Sequence, residues 1–346
     1  MATDLLTPAD VTDSPRSASR LSVGARRFVR HKLGMAALVV LGLLVLLAVL
    51  GPYVWPYSHT DITPDLSQPP SLAHPMGTDS LGRDLLAMVI RGLQQSLLIA
   101  TTVTVIASLL GITLGVVSGF FGGLVDTGVM RLVDLVLTLP TIALAAFLGN
   151  MVAGRGVSWA ALSLVLGAIM WTSVARLVRG VVLGLRAMPY VDAARVMGAS
   201  PTWIMARHLA PNVTDHIVVG ATLMFGHAIL AESGLSFLGF GVQPPDTSLG
   251  LLVAQAQSAV LTRPWLFFFP GLLVVLLVLT VNYIGEGLRD AFNPRSEASN
   301  PLRDRPHGGA APVPPLEAEV VDLALEPELA GPVAASGLAV IGLTAQ

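Results

Sequence analysis

Lys32 is the only lysine in the sequence, and it stands between His31 and Leu33. The Gly-Lys-Ser/Thr ending that lets a loop cradle phosphates is therefore absent. There is no cysteine, which excludes disulfides, thiolate metal ligands and Cys nucleophiles. His59, His74, His216 and His227 have no paired ligand spacing and no His-Glu-x-x-His occurs, so no metal site is expected. Asp126, Arg131 and Asp134 read as a local ion-pair cluster at the cytoplasmic start of an apolar run. Glu232 and Glu286 stand near the ends of two others and read as structural or interfacial. No apolar run carries the row of Asp, Glu or His that marks an ion or proton relay. The sequence predicts no catalytic residue and no cofactor.

One segment does combine charge, caps and apolar faces: RAMPYVDAARVMGASPTWIMARHLAPN, from Arg186 to Asn212. Pro189 suits a first helical turn and Gly198 the position just past a helix end. Ser200 followed by Pro201 gives an N-cap and a preset first residue for a second helix. The spacing predicts two short helices joined at a glycine elbow. Tyr190, Val191, Ala194 and Met197 share one face, and Trp203, Ile204 and Leu209 the other. Such a surface suits docking to a partner, with an amphipathic loop lying on a bilayer as the lesser alternative.

The elements that must hold this loop are apolar. Of 346 residues, 53% are hydrophobic and 12% charged, and mean hydropathy is +0.72. About 20 apolar residues cross a bilayer as a helix, so the chain is expected to be an all-α polytopic membrane protein. Runs at Leu33–Val54, Leu93–Phe120, Thr127–Leu148, Trp159–Val182, Ile217–Leu230 with its flanks, and Trp265–Ile284 make six spans. The first run is too long for a signal peptide and ends in the interfacial cluster Pro52, Tyr53, Trp55 and Tyr57. With both termini cytoplasmic, 16 of the 20 Lys and Arg lie inside, and Arg83, Arg91, Arg155 and Arg263 lie outside. A formal net charge of -2 lacks the basic bias of a nucleic-acid binder.

In the second run Ala107, Gly111, Gly115 and Gly119 recur every four residues. They predict a seam for close helix packing, with a pore-lining stripe as the alternative. Tyr53–Gly92 and Gly234–Pro264 are the longest expected extracytoplasmic segments. In the first of them Gly77, Thr78, Asp79, Gly82, Arg83 and Asp84 read equally as turn and capping chemistry or as a partner contact. Phe267, Phe268 and Phe269 read as membrane-facing bulk. The expected organisation is a disordered N-terminus over 1–25, an N-terminal transmembrane helix domain over 26–57, an extracytoplasmic segment over 58–92, a five-helix core over 93–293 and a flexible cytoplasmic tail over 294–346.

Several of these stretches resemble a known family. Asp192, Ala193, Ala194, Gly198 and Pro211 match the Glu-Ala-Ala loop of ABC importer permeases, with Asp192 for the usual Glu and Ala210 for the usual Leu before Pro. HPMGTDSLGRDLLAMVIRG from His74, ESGLSFLGFGVQPPDTSLG from Glu232, PWLFFFPG from Pro264 and its sequel NYIGEGLRDAFNP resemble the second permease subunit of dipeptide/oligopeptide importers, a branch shared with nickel importers. The resemblance implies a type I ABC importer permease fold in a bacterial inner membrane, paired with a homologous permease as a heterodimer. It also implies two ATP-binding subunits on the cytoplasmic side and an extracytoplasmic solute-binding protein. It assigns coupling to the ATPase to Tyr190, Asp192, Ala193, Ala194, Gly198, Ala199 and Pro211, so that motor movement displaces the fourth and fifth spans. A secondary transporter would need intramembrane charges and paired inverted repeats, and neither is evident. A membrane scaffold would leave the capped loop without a reason.

Overall fold

A computed structural model of the chain describes residues 20–153 and 159–292. The expectations for most of 1–25, for Arg155 and for the tail 294–346 fall outside the described residues. All described residues belong to one unit, Met1–Glu297.

Helix α1 (Arg20–Arg30) leads into α2 (Lys32–Val54), the first span. His31 caps α2, its Nδ1 accepting the Gly34 N–H at 2.9 Å. Helix α2 is apolar all round, and its small residues Ala37, Ala48 and Gly51 face inward while Leu43, Leu46 and Leu50 face out. Pro52 has no N–H to return to the Ala48 carbonyl. The side-chain amide of Gln94 donates to that oxygen instead, at 2.7 Å, and so joins α2 to the next helix.

That helix, α3, runs from Leu85 to Phe121, about two turns earlier than the hydropathy of the sequence suggests. Arg91, Gln94 and Gln95 hide those turns from a hydropathy reading, and Asp84 sets the true start by accepting the Ala87 N–H at 2.7 Å. The small-residue stripe on α3 is a packing seam against α6 (Trp159–Arg186). A Cβ at Gly111 would lie 2.5 Å from Val174 Cβ, and one at Gly115 2.7 Å from the Ala175 carbonyl oxygen. Only a hydrogen fits at either place, so the pore-stripe reading does not apply to this face.

The third expected span is not one helix. Helix α4 (Gly123–Thr138) and α5 (Thr141–Ala153) meet at Leu139-Pro140, with a bend of 89° between Gly123–Thr138 and Thr141–Gly149. Proline disfavours helical geometry at the residue before it, which the apolar run conceals. Five helices among the described residues are long and apolar enough to cross a membrane alone, or six with the bent pair as one span.

The segment expected to be an exposed outer loop, Gly234–Pro264, also folds inward. Helix α9 (Ala210–Phe237) carries into it, and α10 (Leu249–Ala256) buries Leu249, Leu252 and Ala256 against the body before α11 (Trp265–Phe292). Of Phe267, Phe268 and Phe269 at the start of α11 only Phe268 is exposed. Phe267 and Phe269 pack on the core.

Candidate functional site

The segment Arg186–Asn212 forms one free-standing short helix, and the second expected helix opens as predicted but continues into the next span. After α6, Met188 precedes α7 (Pro189–Val196), whose first position is the proline. Helix α7 ends in a Schellman motif: Ala199 N–H donates to the Ala194 carbonyl and Gly198 N–H to the Arg195 carbonyl, both at 3.0 Å. Gly198 sits at φ +83° with open space around it. The left-handed backbone alone demands glycine there.

The chain then turns straight into the next span. Ser200 Oγ accepts the Trp203 N–H at 3.3 Å and Pro201 opens α8 (Pro201–Ile204). The helix continues through a π-turn at Met205–Leu209 into α9, giving 37 helical residues from Pro201 to Phe237. Pro211 does not break this helix. It lacks an N–H, and the ladder widens just before it, with Ala210 N–H donating to the Met205 carbonyl. The Asn212 amide takes up the His208 carbonyl at 2.6 Å.

Burial divides the expected coupling residues. Val191 and Ala194 point into the body beside Ile204, Leu209 and Val213, with 0% and 2% exposure for the first two. Ala199 is half-buried. Tyr190, Asp192, Ala193, Gly198 and Pro211 are exposed. Val196 and Met197, at 88% and 80% exposure, present the most open apolar surface here, and Trp203 adds to it. The single apolar face expected for Tyr190, Val191, Ala194 and Met197 therefore splits: Val191 and Ala194 fix the helix, while Tyr190 and Met197 stay available. His208 lies between Tyr190 and Trp203, with ring centroids 5.8 Å and 4.9 Å away.

Arginines tie this platform to the spans. Arg195 places its guanidinium 5.4 Å from the Phe120 ring centre at the end of α3. Arg186 Nη1 donates to the Phe120 carbonyl at 3.0 Å, satisfying a terminal group of α3. Arg179 pairs with Asp126 and Arg176 with Asp134, the latter at 2.7 Å. Asp126 and Asp134 are thus held from another helix, where the sequence suggested a local cluster with Arg131. Their spacing gave no indication of the partners in α6.

The other end of the bundle is equally cross-linked. Glu232 is fully buried. Ser236 Oγ donates to its carboxylate at 2.7 Å and Ser96 Oγ at 3.3 Å. Ser96 Oγ also accepts the Leu249 N–H, and Ser248 caps α10, so this cage joins α3, α9 and α10. Arg91 grips Asp246 with two bonds of 2.8 and 3.0 Å. Residues 77–84 are capping chemistry. The Asp79 carboxylate accepts from the Leu81 and Arg83 N–H groups. Asp84 accepts from Trp55 Nε1 at 2.9 Å and lies 2.7 Å from His74 Nδ1. Burial, and then Arg91, hold the pKa of nearby His59 below the usual imidazole range. Among the described residues no cluster of three or more His, Cys, Asp or Glu is placed to hold a metal ion.

Residues 111–297 match the family described as binding-protein-dependent transport system inner membrane component. Residues 19–70 match the N-terminal TM domain of oligopeptide transport permease C. The chain is 42% identical over 282 residues to the oligopeptide transport system permease protein OppC of Mycobacterium tuberculosis, covering 81% of this chain and 97% of that one. It is 39% identical over 286 residues to a putative peptide permease protein of Brucella suis, covering 82% and 94%. Among solved structures, inward-facing MetNI methionine ABC transporter is similar at a TM-score of 0.49 and 19% identity, over 60% of this chain and 96% of that one. On the family match and the two permease relatives, this chain belongs to the binding-protein-dependent transport system inner membrane components, as a multi-pass permease subunit of an ABC importer.

Proposed function

We propose that the chain forms half of the translocation pathway of an ATP-driven importer for dipeptides or oligopeptides, with N- and C-termini in the cytoplasm. A homologous permease supplies the other half, two ATP-binding subunits dock on the segment 186–212, and an extracytoplasmic solute-binding protein delivers cargo. The observation that carries this reading is the 42% and 39% identity, over 81% and 82% of this chain, to permeases named for oligopeptides and peptides.

The loop geometry supports the coupling role. Helix α7 is clamped by Val191 and Ala194 and presents Tyr190, Val196 and Met197 outward. A partner gripping that surface moves a helix joined at one end to α6 and, through Gly198, to α9. Displacement therefore passes to two spans as rigid-body motion, opening the pathway to alternate sides. ATP hydrolysis belongs to the separate subunits, since this chain has no phosphate-binding lysine loop.

The test is purification of the assembly in mild detergent, reconstitution with its binding protein, and ATP hydrolysis measured with dipeptides, longer peptides and nickel chelates. Peptide-stimulated hydrolysis is expected, and stimulation by nickel chelates alone would overturn the cargo assignment. Orientation is read separately. The chain has no cysteine, so single cysteines at Leu72 and Val196, 103% and 88% exposed, can be labelled with an impermeant reagent in intact cells. Labelling of position 72 and not 196 is expected, and the reverse would refute the orientation.

A further inference from the structure

Two cavities lie end to end between α2 and α3. One, of about 650 Å³, is an apolar groove within the spans, walled by Leu41, Val45 and Val49 of α2, Leu98 and Thr101 of α3, and Phe225 of α9. The other, of about 450 Å³, is polar and sits where α2 ends, lined by Trp55, Tyr57, His59, Asp61 and Arg91. Pro52 and Gln94 belong to both. On α3 the lining residues 87, 90, 91, 94, 97, 98 and 101 follow one helical face from the polar cavity into the groove.

The dimensions and chemistry select an amphipathic occupant. From Leu41 to Tyr53 the groove follows α2 for about 18 Å at 1.5 Å per residue, close to the ~15 Å of one hydrocarbon leaflet. Its floor at Ala48 exposes no free carbonyl, because Gln94 has taken it. The polar cavity lies in an interfacial aromatic cluster, with Trp55 fixed by its bond to Asp84. Arg91 commits three of its N–H groups to Asp246 and Gln94, leaving two of the five a guanidinium carries. Asp61 adds a carboxylate. With Asp246 already neutralising Arg91, the cavity has no net positive charge to favour an anionic headgroup. It offers donors for a phosphate beside an acid and two aromatic faces for an ammonium.

We infer that these joined cavities bind one amine phospholipid, phosphatidylethanolamine, with an acyl chain along the groove, its phosphate on Arg91 and its ammonium at Asp61. In the orientation proposed above it belongs to the outer leaflet.

The test uses the full chain in its importer assembly, purified in mild detergent and examined by native mass spectrometry after adding phosphatidylethanolamine or phosphatidylglycerol in equal amounts. The wild-type assembly retains phosphatidylethanolamine preferentially. Val45→Trp and Leu98→Trp fill the groove from opposite walls at positions 41% and 42% exposed, and each lowers retention by about tenfold. Leu109→Trp, on α3 outside the groove and 60% exposed, leaves retention unchanged, and Asp61→Asn removes the preference between the two lipids. Melting curves identify any variant that has lost its fold, and the second groove variant then decides. Undiminished retention in a folded groove variant overturns the inference, as does equal binding of both lipids by the wild type. Release of the second permease by Val45→Trp with lipid retained would show that a protein helix fills the groove, and would also overturn it.

Discussion

Arg179 of α6 and Asp126 of α4 meet side-on, Nη2 to Oδ2 at 2.6 Å, with a second bond from Nε to Oδ1. The pair is partly buried, with side-chain exposures of 30% and 17%. It is a charge-assisted bidentate contact between two helices, which is worth more than an open surface pair. Arg179→Met strands the carboxylate and Asp126→Asn weakens both bonds, and each is expected to cost about 1–3 kcal/mol. The double variant should lose less than the sum, because the interaction is already gone after the first change. Thermal unfolding of the detergent-solubilised assembly checks this, and strictly additive losses would show the pair to be uncoupled.

At the α3–α6 seam the distances are short enough to rank substitutions. Gly111→Ala puts a methyl 2.5 Å from Val174 Cβ, an overpacking expected to cost about 1–3 kcal/mol. Val174→Ala alone leaves a cavity. The two together should not recover the loss, because alanine keeps the Cβ that the new methyl meets at 2.5 Å and the Trp171 carbonyl oxygen stays 2.9 Å away. An unfolding midpoint for the double variant restored to that of the wild type would count against this geometry.

Gly198 tests the coupling reading by a series. Its φ of +83° and empty surroundings mean that Gly198→Ala meets only backbone strain, about 1–2 kcal/mol, and Gly198→Asn less. Gly198→Pro is incompatible with a positive φ and deletes the N–H that Arg195 receives. ATP-driven uptake should fall in the order Gly, Asn, Ala, Pro while membrane content stays constant. Ala194→Asp, which buries a charge among Val191, Ile204 and Leu209, should release α7 and match the proline variant. Normal uptake by a correctly inserted Gly198→Pro protein would remove this joint from the mechanism.

His59 supplies a pH signature outside the spans. Burial, Arg91 and Arg83 disfavour its imidazolium more than Asp246 and Asp61 favour it, so its pKa is depressed in the folded chain. Between the folded and ordinary values the unfolded chain binds more protons. The stability from a neutral His59 is therefore complete above about pH 6.5 and is lost as pH falls below it. His59→Gln should flatten the decline of the unfolding midpoint between about pH 7 and 5. Parallel curves for the variant and the wild type would contradict the assignment.

Where physics is local, the sequence is a good guide. The Schellman end at Gly198, the Ser200 cap and the span cores depend on short-range backbone rules and hydropathy, and all were legible. Four features were not. The bend at Leu139-Pro140 lies in a run apolar enough to pass for one helix, and only the proline marks it. The early start of α3 is masked by Arg91, Gln94 and Gln95, whose polarity is answered by Asp246 and the Ala48 carbonyl, partners 155, 151 and 46 residues away. The inward side of α7 depends on Ile204 and Leu209 returning to meet it, which a single helix pattern does not encode. Pro211 sits inside a continuous helix because the ladder widens before it, which shows only in three dimensions.

That widened turn has a mechanical corollary. Because the helix survives Pro211, Trp203 near one end and the serine-caged Glu232 near the other belong to one strut, its 37 residues spanning about 55 Å. A tilt applied at the foot must be matched at the head, where α10 hangs from the same carboxylate cage. The irregular stretch along the way is the five-residue π segment, so under the proposed coupling its stiffness sets how faithfully a push at the foot is delivered to the head.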